Sequence, residues 1–478
     1  MDRSTTLRGE RAAILRSVPT NGRRGERNRA DLGIVAVLVV GIALSLLLAL
    51  RAQVGGDQLN LLARGWLLVA RGEWVPYGNP ASTGGAVPGG FTALLVGGPL
   101  ELWSDHRAPL LGVLFTQIVA FLLLDRWAAA ALGRRERLLF AVLYWLNPWR
   151  LLLSSFLWNP SYLLLVGALH LWSCWRQRAV ARFDASLVLA LSLGLGVQIH
   201  PGAILLGMAT VGLLAARLVR LRWSGVAAGS IVALMPLVSW LIVVHERPEM
   251  LPISKGFVGR GLLLLFPVRG VNYWLRYTTF HLPDKETRFD FTPLLDSSAP
   301  AAIARALGDV VVKGIGPATF LIAVAANLWL WRRWRRRGWR RLLTSGAGAR
   351  EWTLAYLRIT FLGSLAVYAL APTTVMWWQA VPLLHAAALT LALAAGAWSR
   401  RRVRLVRIGA AAWVATSFAL ALLLAFGGPR HRCGGRSNIV IPLRHDHPML
   451  YDLGIHASCR VPIQPDGWWP DVLPEDGG

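Results

Sequence analysis

The sequence predicts an all-α polytopic membrane protein: a bundle of about eleven transmembrane helices with an extracytoplasmic layer of loops and surface helices. Three observations support this fold class. Apolar runs recur along the 478 residues, and 55% of the residues are hydrophobic, above the roughly 45–50% of globular domains. Short basic blocks lie on alternate connections between these runs, and the other connections are long and rich in Gly, Pro and Trp.

The predicted spans are close to the length of roughly 17–25 residues that a helix needs to cross the hydrocarbon layer. The run "LGIVAVLVVGIALSLLLAL" at 32–50 is the clearest example. The motif "NPWR" at 147–150 is expected to break or bend the third span, because proline lacks a backbone donor. The spans are 32–51, 109–127, 138–156, 161–175, 185–199, 202–218, 225–244, 308–331, 353–371, 378–398 and 406–426.

The orientation follows from the basic blocks. Together with the basic N-terminal tail, they fall on one side of the membrane, which the positive-inside rule identifies as the cytoplasm. The net charge of +26 therefore sets the topology and does not indicate a nucleic-acid partner. The blocks are "GRRER" at 133–137, "RQRAVAR" at 176–182, "RLVRLR" at 217–222, "RRWRRRGWRR" at 332–341 and "RRRVRLVR" at 400–407.

Three regions follow from this topology. Residues 1–31 form a cytoplasmic basic tail, and residues 32–426 form the transmembrane domain with outer loops at 52–108 and 245–307. Residues 427–478 form an extracytoplasmic C-terminal tail. We expect a multi-pass protein of the cell inner (plasma) membrane, with its N-terminus in the cytoplasm and its C-terminus outside.

Asp57 is the first candidate for chemistry. It starts the segment "DQLNLLARGWLLVARG" at 57–72, whose apolar spacing predicts a helix along the membrane surface. Taken alone, a carboxylate at this position caps the helix. The segment that follows, 72–103, is rich in turn residues and aromatics and is interpreted as a mobile, polar lining of a cavity.

Asn159, Gln198 and His200 lie at the outer ends of their spans. Polar residues at membrane depth are costly, and they usually face the bundle interior or a wet cavity. The alternative for His200 is an interhelical hydrogen bond, and the alternative for Asn159 is a helix cap. Because these residues and Asp57 fall on one side of the membrane, we favour a shared site.

The second outer loop supplies cations at Lys255, Arg260, Arg269 and Arg276. Arginines on an apolar surface segment suit a lipid phosphate at headgroup level. The alternative is ordinary snorkelling of long side chains toward water.

Two of the three cysteines, Cys433 and Cys459, lie in the outer tail. The compartment there is oxidising, so we predict a disulfide between them. The alternative is a pair of free thiols.

The order of these features resembles the GT-C membrane glycosyltransferases. One span, an acidic residue, a surface helix and an aromatic first outer loop precede many spans. The chain is most similar to the family related to protein O-mannosyltransferases and aminoarabinose transferases (glycosyltransferase family 39-like). The "WNP" at 158–160 and "QIHP" at 198–201 match short motifs of its bacterial members. The resemblance covers roughly residues 30–400 and implies a GT-C-like bundle.

The resemblance also implies residue roles. Asp57 matches the acidic position that acts as general base or orients the acceptor. Many relatives have two adjacent acidic residues, whereas this chain has Asp57 followed by Gln58. Asp105 and His106, which close the first outer loop, are expected to assist in substrate binding.

The expected function is transfer of a sugar from a polyprenyl-phosphate-linked donor to an extracytoplasmic acceptor, a lipid, glycan or protein. Nucleotide sugars are not available outside, so the donor must be a lipid that has crossed the bilayer. The chemistry would be inverting, as in a hexosyl or pentosyl transferase, with Asp57 and His200 catalytic. The sequence identifies no certain cofactor, and a divalent cation is the one candidate.

Two other readings fit a polytopic chain. A transporter or flippase of a lipid-linked or small polar substrate also needs many spans and a polar cavity, although such proteins tend to have repeated halves, which are not evident here. A non-catalytic membrane assembly subunit is the other alternative, because the second acidic residue is missing.

Overall fold

The chain is almost entirely helical wherever the structure describes it. The computed structural model describes residues 21–52, 54, 57–80, 86–248, 265–291, 295, 298–337, 348–371, 375–429 and 448–455. The first helices are α1 (Asn21–Leu50), α2 (Asp57–Arg71), α3 (Phe91–Leu102), α4 (Ala108–Ala131), α5 (Arg134–Trp145), α6 (Pro148–Leu153), α7 (Asn159–Arg176), α8 (Phe183–Ile199) and α9 (Ile204–Ala215). They are followed by α10 (Trp223–Glu246), α11 (Leu265–Arg276), α12 (Ser298–Asp309), α13 (Gly316–Arg337), α14 (Ala349–Ala369), α15 (Leu384–Trp398), α16 (Val403–Gly427) and α17 (Pro448–Asp452).

Short elements of other types connect these helices. The strands β1 (Tyr77–Pro80) and β2 (Ala86–Pro88) pair antiparallel in a small hairpin. Turns of 3₁₀-helix lie at Pro201–Ala203, Asp284–Glu286 and Trp377–Leu383, and a π-helical turn at Val310–Ile315 joins α12 to α13.

Helices cover every predicted membrane span. Six helical segments in the described part are long and apolar enough to cross a bilayer: Ala30–Leu50, Ala108–Ala131, Trp223–Glu246, Ala299–Arg332, Trp377–Trp398 and Val403–Gly427. The other predicted spans coincide with helices that are shorter or more polar. The prediction of an all-helical, multi-pass membrane protein is confirmed.

The third predicted span breaks where the sequence indicates. Helix α5 ends at Trp145, and α6 begins at Pro148. Asn147 caps α6, since its Oδ1 accepts a hydrogen bond from the backbone N–H of Trp149 at 2.9 Å, and its Nδ2 donates to the carbonyl oxygen of Tyr277 at 2.7 Å. The bend therefore ties the span to the segment that follows α11.

A buried arginine holds this bend inside the bundle. Arg150 is fully buried, and its Nε donates to the carbonyl oxygen of Trp145 at 2.6 Å. Its Nη1 donates to Ser45 Oγ on α1 at 2.9 Å and to Gln117 Oε1 on α4 at 3.2 Å. The guanidinium also lies 4.0 Å from the ring centroid of Trp145. A buried charge needs such partners because the hydrocarbon interior supplies no water.

The Arg-rich connections gather at one end of the bundle, here called the basic end. Glu136 at the start of α5 forms ion pairs with Arg350 at 2.8 Å and with Arg400 at 3.9 Å. The backbone N–H of Arg220 donates to the carbonyl oxygen of Gln177 at 3.0 Å. Connections distant in sequence thus meet at one end, as their alternation predicts.

The first outer loop is more regular than the turn-rich interpretation of 72–103 allows. It contains the β1–β2 hairpin and helix α3. Helix α3 packs on α2 at a close approach, because a Cβ at Gly65 would lie 2.5 Å from Val96 Cγ1. Tertiary packing on α2 orders a segment whose glycines and prolines indicate a loop by propensity.

We expect Asn147→Ala to lower the stability of the protein. The variant loses the cap of α6 and the bond to Tyr277, changes that cost about 1–3 kcal/mol at buried positions. The apparent unfolding midpoint of the detergent-solubilised protein measures the effect. Asn272→Ala is the matched control, because Asn272 forms no side-chain hydrogen bond within the described ranges. Equal midpoints for the two variants would contradict this account of the bend.

Candidate functional site

Asp57 lies at the start of α2 with its carboxylate exposed. Its Oδ2 accepts a hydrogen bond from Trp158 Nε1 at 2.9 Å, and its backbone oxygen accepts one from Asn79 Nδ2 at 3.3 Å. Its Oδ1 has no partner among the residues that the structure describes. One carboxylate oxygen is therefore held in place, and the other is left without a partner in the described part of the chain.

Tryptophans border this carboxylate and form what we call the tryptophan cluster: Trp149, Trp158, Trp377 and Trp378. The ring centroid of Trp158 lies 5.2 Å from that of Trp377 and 5.7 Å from that of Trp378. Trp149 lies 5.4 Å from Trp377, and the two rings are steeply inclined at 62°. The cluster brings together α6, the start of α7 and the 3₁₀-helix Trp377–Leu383, and it presents an aromatic surface beside Asp57.

Two cations contact the edge of the tryptophan cluster. The guanidinium of Arg276 lies 5.5 Å from the Trp149 ring centroid, and Lys285 Nζ lies 5.7 Å from the Trp378 centroid. Arg276 donates from Nε and Nη2 to the carbonyl oxygens of His281 and Leu282, each at 3.0 Å. Its Nη1 makes no hydrogen bond within the described residues, and Lys285 is exposed. The cations therefore contact two members of the cluster, Trp149 and Trp378, whereas Asp57 contacts a third, Trp158.

Asn159 directly follows Trp158 at the start of α7. Its side chain is buried, and its Oδ1 has no hydrogen-bond partner in the part of the chain that the structure describes. A buried oxygen without a partner is costly in an apolar setting. Asn159 is thus placed beside the tryptophan cluster with an unused acceptor.

His200 ends α8 and is half-buried. Its Nδ1 accepts a hydrogen bond from the backbone N–H of Gly202 at 3.0 Å. Gly202 in turn packs on the carbonyl oxygen of Gln379, so closely that a Cβ there would overlap it. The "QIHP" turn therefore rests on the same 3₁₀-helix that carries Trp377 and Trp378.

Gln198 occupies a helix interface. It is buried, and its Nε2 donates to the carbonyl oxygens of Ala233 at 2.5 Å and Gly194 at 3.3 Å. Its Oε1 lies against Gly89, whose φ of 83° favours glycine and leaves no room for a side chain. These contacts hold α8 against α10, and a substrate contact by Gln198 stays a prediction.

Asp105 and His106 are not brought to the tryptophan cluster by any contact in the described residues. The backbone N–H and Nδ1 of His106 both lie 3.0 Å from the carbonyl oxygen of Leu453. Arg107 forms an ion pair with Asp105 at 2.5 Å. Burial raises the pKa of Asp105, but hydrogen bonds from Arg107 outweigh it and hold that pKa below its usual value. His106 anchors the C-terminal segment 448–455, Asp105 pairs with Arg107, and the role of both in substrate binding stays a prediction.

The remaining predicted site residues lie elsewhere. Lys255, Arg260, Cys433 and Cys459 fall outside the described residues, so the phosphate contacts of the first two and the disulfide stay predictions. Arg269 is exposed on α11. Within the described ranges, no group of three or more His, Cys, Asp or Glu side chains is arranged to hold a metal ion, and the divalent cation also stays a prediction.

The sequence does not single out the Trp377–Trp378 pair or Lys285. Tryptophans near the end of a span are typical of the membrane interface, and that explanation gives no indication of their contacts with Trp158. One signal was available: lysine occurs only at 255, 285 and 313, and two of these positions lie in the second outer loop.

Comparison with known proteins returns a distant likeness. No family model matches the chain, and no curated protein matches it. Among solved structures, the chain is similar to the crystal structure of ArnT from Cupriavidus metallidurans bound to undecaprenyl phosphate. The TM-score is 0.48 at 14% identity, over 82% of this chain and 75% of that one. No residue role is carried over from that protein to this chain.

We expect the double variant Trp66→Phe/His106→Ala to loosen the segment 448–455. It removes the hydrogen bond from Trp66 Nε1 to Asp452 Oδ2 at 3.2 Å and the imidazole contact to Leu453. Hydrogen exchange of the segment should accelerate several-fold, since each such bond stabilises by about 0.5–1.5 kcal/mol. Trp223→Phe, at an exposed ring, is the control. Unchanged exchange in the double variant would contradict the anchoring role.

Proposed function

We propose that this chain is an inner-membrane glycosyltransferase. It transfers a sugar from a polyprenyl-phosphate-linked donor to an extracytoplasmic acceptor, with inversion at the anomeric carbon. The observation that carries the proposal is the Asp57 carboxylate, which is exposed, has one oxygen bonded to Trp158 Nε1 at 2.9 Å, and borders the tryptophan cluster and its two cations. In this proposal the N-terminus is cytoplasmic, and the site faces outward.

Asp57 acts as the general base. Its free Oδ1 accepts the proton of the acceptor hydroxyl while that oxygen attacks the anomeric carbon of the donor sugar. The bond between the anomeric carbon and the phosphate oxygen breaks, and polyprenyl phosphate leaves with the electron pair. The Trp158 N–H fixes the second oxygen, so the carboxylate does not have to be oriented at the moment of reaction.

The tryptophan cluster binds the sugar. Large aromatic rings offer apolar contact area at a low cost in side-chain entropy, and the indole N–H groups supply polar contacts. Trp158 and Trp378 are half-buried, so part of each ring is open to a ligand. Asn159, with its unused Oδ1, accepts a hydrogen bond from a sugar hydroxyl, and His200 lines the adjoining turn.

The cations stabilise the leaving group. Negative charge develops on the phosphate as the glycosidic bond breaks, and charge-assisted hydrogen bonds strengthen as it does. Arg276 and Lys285 are positioned for this role by their contacts with Trp149 and Trp378. Lys255, Arg260 and Arg269 belong to the same outer loop and are proposed to extend the phosphate contacts.

We expect Asp57→Asn to abolish most of the transfer. Loss of a general base typically costs 10²–10⁴-fold in rate. The assay incubates purified protein with a panel of polyprenyl-phosphate sugars and measures acceptor-dependent release of polyprenyl phosphate. Glu101→Gln is the matched control, because Glu101 is an exposed carboxylate on the neighbouring helix α3. Wild-type transfer by a folded Asp57→Asn protein would refute the assignment of the base.

Trp158→Phe tests the orientation of the base separately. The variant keeps an aromatic ring in the cluster but removes the hydrogen bond to Asp57. We expect kcat to fall about tenfold or more, because a hydrogen bond to a charged group contributes about 1.5–3 kcal/mol, while KM for the donor changes little. A rise in KM at constant kcat would instead assign Trp158 to substrate binding alone.

A further inference from the structure

A groove runs from the basic end of the bundle, at Trp398 and Arg402, toward Thr278 and Phe280 in the segment that follows α11, and none of its lining residues has a part in the proposed transfer. It has a volume of about 440 Å³, within the range of roughly 300–1,000 Å³ that is usual for ligand sites. Helices α5, α13, α15 and α16 form its walls. Its lining is almost wholly apolar and includes Leu143, Ile322, Leu391, Leu405 and Trp413.

The groove is open toward the bilayer and elongated along α16. Ile322 and Leu405 line it and are 49% and 61% exposed, so its mouth lies on the surface that faces lipid. Its lining residues on α16 extend to Thr416, starting from Arg402 just before that helix. At 1.5 Å per residue this distance is about 20 Å, so the groove spans somewhat more than half of a hydrocarbon core about 30 Å thick.

Arg402 is the one charged residue that lines the groove. It precedes α16 at the basic end, next to Trp398, whose indole lines the same end of the groove. The carboxylate of Glu136, also at the basic end, is paired with Arg350 and Arg400, and Arg402, which is exposed, has no ion-pair partner in the described part of the chain. An uncompensated guanidinium thus stands at the end of an apolar channel, beside the N-terminus of a helix that also favours an anion.

We propose that this groove binds one anionic glycerophospholipid from the leaflet at the basic end. The phosphate lies against Arg402 and the N-terminus of α16, and one acyl chain fills the groove between α13, α15 and α16. Charge complementarity favours an anionic lipid, because a basic pocket between transmembrane helices attracts an anionic headgroup. A zwitterionic headgroup binds less well, because its own positive group would lie beside the guanidinium of Arg402. The neighbouring arginines at 400, 401, 404 and 407 do not line the groove.

Gly409 allows the acyl-chain part of the proposal to be tested without disturbing the core. It lines the groove, and a Cβ built there meets no atom within 4 Å, so a larger side chain enters the channel itself. Gly207 on α9 is a matched control: a Cβ there also meets no atom within 4 Å, and it does not line the groove.

The experiment measures lipid retained by the purified full-length protein. Detergent-solubilised protein is mixed with phosphatidylglycerol, phosphatidylcholine or polyprenyl phosphate, and native mass spectrometry counts the bound lipid. We expect wild type to retain one phosphatidylglycerol in preference to phosphatidylcholine. Arg402→Gln should lose this preference, with about tenfold weaker retention of phosphatidylglycerol. Gly409→Leu should reduce retention of both lipids, whereas Arg404→Gln and Gly207→Leu should behave as wild type.

Three results would overturn the proposal. The first is retention of phosphatidylglycerol by Arg402→Gln at the wild-type level. The second is an equal loss of phosphatidylglycerol retention in Arg404→Gln, which would show that the overall positive charge, and not Arg402 itself, attracts the lipid. The third is retention of polyprenyl phosphate in place of phosphatidylglycerol, blocked by Gly409→Leu but not by Arg402→Gln, since the occupant would then be a prenyl chain. A thermal unfolding midpoint within the range of the two controls establishes that each variant is folded; if Gly409→Leu fails this criterion, Gly409→Ala replaces it.

Discussion

The hydrogen bonds of Asn147 and Arg150 inside the bundle fix the position of the candidate site. A polar group in hydrocarbon must find its partners within the protein, because no water is available there. Asn147 satisfies this requirement by bonding both the start of α6 and the carbonyl oxygen of Tyr277 at 2.7 Å. Trp149, two residues further on, then packs against Tyr277 at 5.0 Å and against Trp377 at 5.4 Å. The bend in one span thus brings the second outer loop and the tryptophan cluster together.

The same rule explains a chain of buried polar side chains deeper in the bundle. His170 Nδ1 lies 2.9 Å from the Tyr356 hydroxyl, which lies 3.0 Å from His385 Nε2. His170 Nε2 also lies 3.0 Å from Thr210 Oγ1. These contacts join α7, α9, α14 and α15. Helix α7 begins beside Trp158, and α15 directly follows the 3₁₀-helix that contains Trp377. This series of hydrogen bonds therefore sets the spacing of these two parts of the candidate site from within the bundle.

Charge is distributed unequally over the molecule, and this distribution separates its two ends. The 51 basic residues outnumber the 25 acidic ones, and most of the excess lies in short connections at the basic end. There, Glu136 is surrounded by arginines, whereas Arg402 is left to face an apolar groove. At the other end, Asp57 keeps a free oxygen beside an aromatic surface edged by Arg276 and Lys285. In the proposals made above, the first arrangement binds an anionic lipid headgroup, and the second provides cations for a phosphate leaving group and a carboxylate as the base.

The sequence by itself determined the helical spans, the common end of the basic blocks, the presence of a helix that starts at Asp57 and the break at "NPWR", because hydropathy, charge and proline act locally along the chain. It also pointed to Asp57, Asn159 and His200, since polar residues at span ends are conspicuous against an apolar background. Only the tertiary structure decided which of these meet. It pairs Asp57 with Trp158, seats Gln198 between helices, and turns Asp105 and His106 toward Leu453. Trp377 and Trp378 lie more than 200 residues beyond Trp158, and local patterns carry no information about contacts across such a separation.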